Sequence, residues 1–369
     1  MFSRAIVATA VLFAAQFATA ADRPTKAITE EGEIAGAKFR IDIPDNWNGG
    51  LVMYAHGYAM VMQPPQFNLD VSKAFQSLGL AVAQSLYSHQ GWAAREGILD
   101  TEALRRYFVD KYGPTSPTII VGHSQGGAIT YATIEKYPEV YDGALPFCAA
   151  GPSALGFFKE RVFDMRLLFD YYFPGLPGNA VEFPEGTATF GKVLSKATEL
   201  VKADPEKAKV FAKMTTLSSP DAIPGVIAFW SEILREFQDR AGGNPFDNTD
   251  TIYSGSADDA KLNREIPRHT ANPRAEEYLR QWVTMNGEIS DPVLAVHTLV
   301  DDLIPPAIAN QYGQLTVLAG TSDLYAQSWV DRNGHCAFSA EETTESLRQL
   351  LEWIKTGKRP TPGDWTKGK

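Results

Sequence analysis

Apolar residues gather in short runs that alternate with stretches of helical spacing, over residues 35–150 and again from residue 291 onward. "AKFRIDIP" (37–44) alternates in period two, and "GGLVMYAHGYAM" (49–60) is a nearly unbroken apolar run, so residues 35–60 predict two strands. Asp45, Asn46, Asn48 and Gly49–Gly50 mark the turn between them. A helical pattern from Asn68 to Leu78 leads into a buried-looking strand, "GLAVAQSLY" (79–87). Residues 91–112 space Ile98, Leu104, Tyr107 and Phe108 as a helix does. "TIIV" (118–121) predicts the next strand, Ala128 to Lys136 the next helix, and "GALPFCAA" (143–150) a further strand. Apolar strands alternating with helices imply an α/β fold, with a mostly parallel central sheet and helices on both faces. Such sheets bind ligands at the carboxyl ends of their strands.

The rhythm stops at residue 152. Residues 152–289 hold no clear strand–helix unit, are rich in aromatics such as Phe157, Phe169, Phe211 and Trp230, and read as a mostly helical insert. "DPEKAKVFAKM" and "PGVIAFWSEILREFQDR" carry helical patterns, whereas "GGNPFDNTDTIYSGS" reads as a long loop. Most of these aromatics are expected to fill the insert's own core, and a subset facing the sheet would form a lid. The rhythm resumes at "DPVLAVHTLVDDLIPP" (291–306), followed by a helix from Pro306, the strand "LYAQSWV" (324–330) and a closing helix from Ala340 to Ile354. The tail "KTGKRPTPGDWTKGK" is expected to fray. The expected organisation is therefore a core of residues 21–151 and 290–369 interrupted by a cap or lid at 152–289.

Candidate chemistry gathers at the strand ends. Gly122-His123-Ser124-Gln125-Gly126 places a serine between a strand and a helix, with glycine on both flanks. A reversal that sharp crowds its neighbours, and glycine removes the side chains that would clash. The start of the following helix favours negative charge beside the serine. A serine hydroxyl needs a base. His335 in "DRNGHCAF" stands after the last strand and before the last helix, and is the candidate. His123 diverges from its neighbour on the turn, His56 lies at the end of a strand in "YAHGY", and His89, His269 and His297 lack a supporting loop pattern. The base needs an orienting carboxylate, for which Asp301 is the first choice and Asp302 the second, at the end of "VHTLVDD". The backbone N–H groups of Gln125 and of Tyr58, in "AHGY", are the candidate oxyanion hole.

These four motifs, HG, G-x-S-x-G, the Asp after a strand and the late His, occur in the order in which the α/β-hydrolase superfamily places them, and the chain resembles that superfamily outside residues 152–289. The resemblance implies a serine hydrolase with Ser124, Asp301 and His335 as its triad, acting on carboxylic esters of small molecules or polymers. It is similar also to prolyl-type peptidases, so amide or peptide cleavage is the alternative. A carboxylate pair such as Glu182 with Glu185, or Asp258 with Asp259, would then have to hold a substrate amine. A non-catalytic binding protein on the same fold is the remote alternative. Tannase and feruloyl-esterase relatives brace the catalytic histidine loop with a disulfide. This sequence has the "His-Cys" half of that pattern but has His123 where they have a cysteine, which leaves a Cys148–Cys336 bridge as the hypothesis.

Composition adds limits. The 369 residues are 44% hydrophobic and 21% charged, with a formal net charge of −10 and no basic cluster, so nucleic acid is not an expected partner. No metal or nucleotide motif is visible and no cofactor is expected. Arg4, the apolar run Ala5 to Phe17 and Ala18-Thr19-Ala20 read as an export signal cleaved after Ala20, too short to anchor the chain in a membrane. The expected location is the periplasm or the extracellular space. Oligomeric state is not legible.

Overall fold

The structure, a computed structural model, describes residues 24–60, 63, 65–151, 154–184, 186 and 189–364; the expected signal at 1–20 lies outside them. In chain order the first elements are β1 (Ile28–Ile34), β2 (Ala37–Ile43), β3 (Leu51–Ala55), α1 (Leu69–Gln76), β4 (Ala81–Ser85) and α2 (Ala94–Tyr112). Then come β5 (Thr118–His123), α3 (Gln125–Lys136) and β6 (Gly143–Phe147). After the insert follow β7 (Val293–Val300), a helix Pro306–Ala319, β8 (Tyr325–Asn333), a helix Ala340–Thr356 and β9 (Gly363–Asp364). The strands form one sheet in the order β1-β2-β4-β3-β5-β6-β7-β8-β9. The β1–β2 and β2–β4 pairs are antiparallel and all others parallel. This is the α/β-hydrolase arrangement, with β5 near the middle of the sheet.

Period-two alternation explains why the central strands read as unbroken apolar runs. Leu51, Met53 and Ala55 of β3 join one core cluster with Ile98, Phe108 and Ile129 of α2 and α3. Val52 and Tyr54 join the other, with Phe75 of α1 and Leu347, Leu350 and Trp353 of the closing helix. Both faces of the strand are thus covered.

Three differences from the sequence expectation have physical causes. β1 was not predicted: its sequence ITEEGEI carries three glutamates and it is half exposed at the sheet edge. It is held there by full antiparallel register with β2 and by Glu30, which accepts from Tyr107 at 2.5 Å and pairs with Lys111 at 2.7 Å. β6 stops at Phe147 rather than Ala150, because Cys148 takes a positive φ of 41° that no strand continues. In the tail, Gly363 and Asp364 pair with β8 rather than fray.

Between β6 and β7 run a π-helix (Ala154–Phe163), α4 (Asp164–Tyr172), α5 (Phe190–Ala203), α6 (Pro205–Met214), a 3-10 turn (Pro220–Ala222), α7 (Ile223–Ala241), α8 (Asp259–Glu265) and α9 (Pro273–Trp282). The two later helices, 306–319 and 340–356, are α10 and α11. Most insert aromatics pack on one another: Phe158 stacks on Phe237 at 5.0 Å and Phe169 meets Phe211 edge-on at 5.6 Å. Phe158 also meets Trp92 of the core at 4.7 Å, so the insert and the sheet share one apolar cluster.

Candidate active site

The β5–α3 turn is built by close packing around Ser124, whose φ is 58° and ψ −118°. A Cβ on Gly122 would stand 2.2 Å from the Gly126 carbonyl oxygen, and one on Gly126 would stand 2.0 Å from that of Ala55. No side chain fits at either place, so the chain can reverse this tightly only with these glycines. Ser124 N–H donates to Phe147 O at 3.0 Å, which anchors the turn to the end of β6.

His335 Nε2 lies 2.8 Å from Ser124 Oγ, and His335 Nδ1 lies 2.7 Å from Asp301 Oδ2. Asp301 is 4% exposed. Its Oδ1 accepts the N–H groups of Leu303 and Ile304, both at 2.9 Å. Burial pushes this carboxyl up, but the hydrogen bond and charge of His335, the Ile304 N–H and His297 outweigh it and hold Asp301 below the usual carboxylate range. The adjacent Asp302 turns the other way and accepts from Ser218 N and Ser218 Oγ, both at 2.6 Å, which ties the strand end to the insert. The sequence left Asp301 and Asp302 as alternatives, and only Asp301 reaches His335.

The His335 loop is fixed at two points. Gly334 N–H donates to Val300 O at 2.8 Å and Gly334 O accepts from Thr298 Oγ1 at 3.0 Å, which holds the loop on β7. Cys336 is bonded to Cys148, so the loop is also tied to the residue after β6. Without that bond the two sulfurs and His335 would form a cluster of metal-binding size; the sulfur–sulfur bond occupies both thiols.

The two expected oxyanion donors belong to segments next to the serine. Gln125 opens α3, so its N–H has no intrahelical acceptor. A Cβ on Gly57 would lie 3.4 Å from that of Ser124 and 3.2 Å from His123 O, so the His56-Gly57-Tyr58 segment passes directly against the turn. Sequence reasoning missed what holds these donors. Glu236, from α7 in the insert, is 6% exposed and accepts from Tyr58 Oη and from Trp92 N–H, each at 3.1 Å. Gly91, next to Trp92, takes a φ of 77° that favours glycine, and a Cβ there would also meet Glu236 Oε2 at 2.4 Å. Gly91 N–H donates to Ala59 O at 2.9 Å, and Gln125 Nε2 donates to Gly91 O at 3.4 Å. Burial raises the Glu236 pKa, against the hydrogen bond from Tyr58. Beside this network lies a cavity of about 490 Å³ lined by His56, Gly57, Tyr58, Met60, Gln66 and Phe229, among others, and Phe229 meets Tyr58 edge-on at 5.4 Å.

The remaining histidines have other partners. His123 points away from Ser124, stacks on Phe147 at 4.5 Å and lies 3.2 Å from Tyr54 Oη. Burial, helped by the charge of His335, pushes its pKa down to about 4. His56 stacks on Tyr87 at 4.0 Å. His297 gave no loop signal, yet it lies under the site: its Nε2 donates to Ile304 O at 2.8 Å and stands 3.7 Å from Asp301 Oδ2. Of the carboxylate pairs, Asp258 caps α8 through Lys261 N–H and Asp259 accepts from Ser256, so both are local turn acceptors. Glu182 is exposed, and Glu185 lies outside the described residues. Among the described residues no helix is long and apolar enough to cross a membrane.

A family model described as a tannase-like family of unknown function (DUF6351) matches residues 28–229. An o-phthalyl amidase of Xanthobacter agilis is 24% identical over 413 residues, covering 91% of this chain and 89% of that protein. Solved structures that superpose include Est1E from Butyrivibrio proteoclasticus (12% identity, TM-score 0.45, 89% of this chain and 98% of that one). A Pyrococcus furiosus esterase superposes with 12% identity and TM-score 0.47, over 89% of this chain and 91% of that one. An acylaminoacyl peptidase of Pyrococcus horikoshii does so with 10% identity and TM-score 0.47, over 89% of this chain and 42% of that longer one.

Proposed function

The chain belongs to the tannase-like family of unknown function (DUF6351), and from that membership and the geometry at Ser124 we propose that it is a serine hydrolase that cleaves carboxylic esters through an acyl-enzyme. The observation that carries the reading is the hydrogen-bonded chain from Ser124 Oγ through His335 to the buried Asp301, at 2.8 and 2.7 Å. Ser124 attacks the acyl carbon while His335 Nε2 takes the hydroxyl proton and then gives it to the leaving alcohol. Asp301 holds the imidazole with Nδ1–H inward and stabilises the imidazolium. The Tyr58 and Gln125 N–H groups receive the developing oxyanion, and water, deprotonated by the same His335, releases the acid. The insert acts as a cap over this site, with Phe229 facing the oxyanion segment. Export after Ala20 is part of the proposal and is supported by the Cys148–Cys336 bond, which persists in oxidising compartments.

Amide cleavage is the second reading, favoured by the similarity to an amidase over most of both chains. The same residues serve it, with His335 protonating a leaving amine. A panel of p-nitrophenyl esters and the matching anilides tests both. The ester reading predicts ester turnover that Ser124→Ala abolishes; turnover of anilides above esters favours the amidase reading, and a Ser124→Ala protein as fast as the wild type removes both.

A further inference from the structure

Arg161 sits in the π-helix, a rare geometry that recurs at functional sites, and is only 5% exposed. Its guanidinium donates to three neutral carbonyls: Nη1 to Thr215 O, Nη2 to Asp302 O and Nε to Leu303 O. No carboxylate of the described residues stands at ion-pair distance from it. Asp301 is engaged by His335 and two N–H groups, and Asp302 by Ser218. A buried cation without a counter-ion is unfavourable. Accordingly, burial pulls the Arg161 pKa down to about 10, against the attraction of Asp302 and Asp301. A guanidinium has more N–H groups than these three bonds use.

The same side chain lines a cavity of about 270 Å³ whose walls are otherwise mostly apolar, from Met165, Leu168, Met214, Pro305 and Ile308, with the exposed Glu160 among the lining residues. The lining residues are linked to the candidate site through their neighbours. The carbonyls that Arg161 holds belong to the two residues after Asp301. Ile308 stands 3.3 Å from where a Cβ on Gly151 would be, and Ala150 N–H donates to Ser124 O at 3.1 Å.

We propose that this cavity is a substrate subsite for a carboxylate on a small apolar body, with Arg161 supplying charge-assisted hydrogen bonds and the apolar walls holding the carbon frame. The preferred substrates are then esters or amides that carry a free carboxylate elsewhere in the molecule. The proposal rests on the serine-hydrolase reading. Its size fits a group no larger than a glutaryl or benzoyl unit, since ligand pockets of drug-sized molecules start at roughly 300 Å³.

The test compares 4-nitrophenyl hydrogen glutarate with its neutral counterpart, 4-nitrophenyl valerate. Arg161→Gln is expected to lower kcat/KM for the acidic ester at least about tenfold more than for the neutral one, the scale of one charge-assisted hydrogen bond, with Arg161→Lys in between. Ala307→Glu places a competing carboxylate at the exposed cavity rim without touching the three carbonyl bonds, and is expected to reduce the acid-to-neutral ratio likewise. Val317→Glu, at an exposed site toward the other end of α10, adds the same charge and should leave the ratio unchanged. An Arg161 that only staples the loop would lower both esters together, and that result overturns the proposal. If the wild type turns over neither ester, the ester reading fails, and calorimetric titration with benzoate still decides the subsite. Binding that Ala307→Glu removes supports it; absence of binding to the wild type, or equal binding to both proteins, overturns it.

Discussion

Asp301 and Asp302 are neighbours with opposite duties. Asp301 is buried and faces His335, while Asp302 faces Ser218 of the insert. Asp301→Asn leaves the shape but favours the wrong imidazole tautomer, so kcat is expected to fall by about 10⁴-fold. Asp302→Asn replaces one of the two acceptor oxygens at a partly exposed tie with an amide NH2 and should destabilise by about 1 kcal/mol while changing kcat far less. Steady-state kinetics and urea melts of both variants separate the roles. His123 gives a pH signature. Its pKa, 6.5 in a model compound, is depressed to about 4 in the folded protein, so below pH 6.5 the unfolded chain takes a proton that the folded one refuses. The stability linked to this residue is therefore present above pH 6.5 and is lost as pH falls toward 4. The urea midpoint of the wild type should drop more between pH 7 and pH 4 than that of His123→Phe; parallel curves would contradict the assignment.

At the scale of elements, the Ser124–His335–Asp301 chain stands on three strand ends: the turn after β5, the loop after β7 and the loop after β8. The disulfide joins the end of β6 to the last of these across a sequence separation of 188 residues. A cross-link closing so long a loop restricts the unfolded chain strongly, so Cys148→Ala/Cys336→Ala should lose about 2–5 kcal/mol of stability. Equal urea midpoints for the double variant and the oxidised wild type would contradict this. Much at this scale was legible in the sequence. The β5–α3 turn announces itself through Gly122 and Gly126, whose missing side chains have no room to exist, and the βα rhythm places His335 opposite it. The unread parts share a cause: their partners are remote or their composition misleads. Glu236 and Arg161 come from the insert, and nothing local to either shows that one meets Tyr58 and Trp92 and the other the carbonyls after Asp301. His297 lies inside β7 and looks like any strand residue until Asp301 folds back over it. β1 carries the charges of an exposed edge and so lacks the apolar signature of a strand.

For the molecule as a whole, the insert and the sheet form one packed body. Trp92 against Phe158, Glu236 against Tyr58 and Asp302 against Ser218 join them at three separate places. Two of those joints reach the site itself, one at the oxyanion segment and one beside Asp301, so what the insert encloses is coupled to the geometry of the serine. The central claim is that Ser124 is a nucleophile activated by His335. The most direct test treats the protein with a fluorophosphonate probe and maps the adduct by peptide mass spectrometry. The account predicts one covalent adduct, on Ser124, that is absent in Ser124→Ala and forms far more slowly in His335→Ala. A wild-type protein left unlabelled under conditions that label a control hydrolase, or labelled elsewhere with Ser124 untouched, would contradict it.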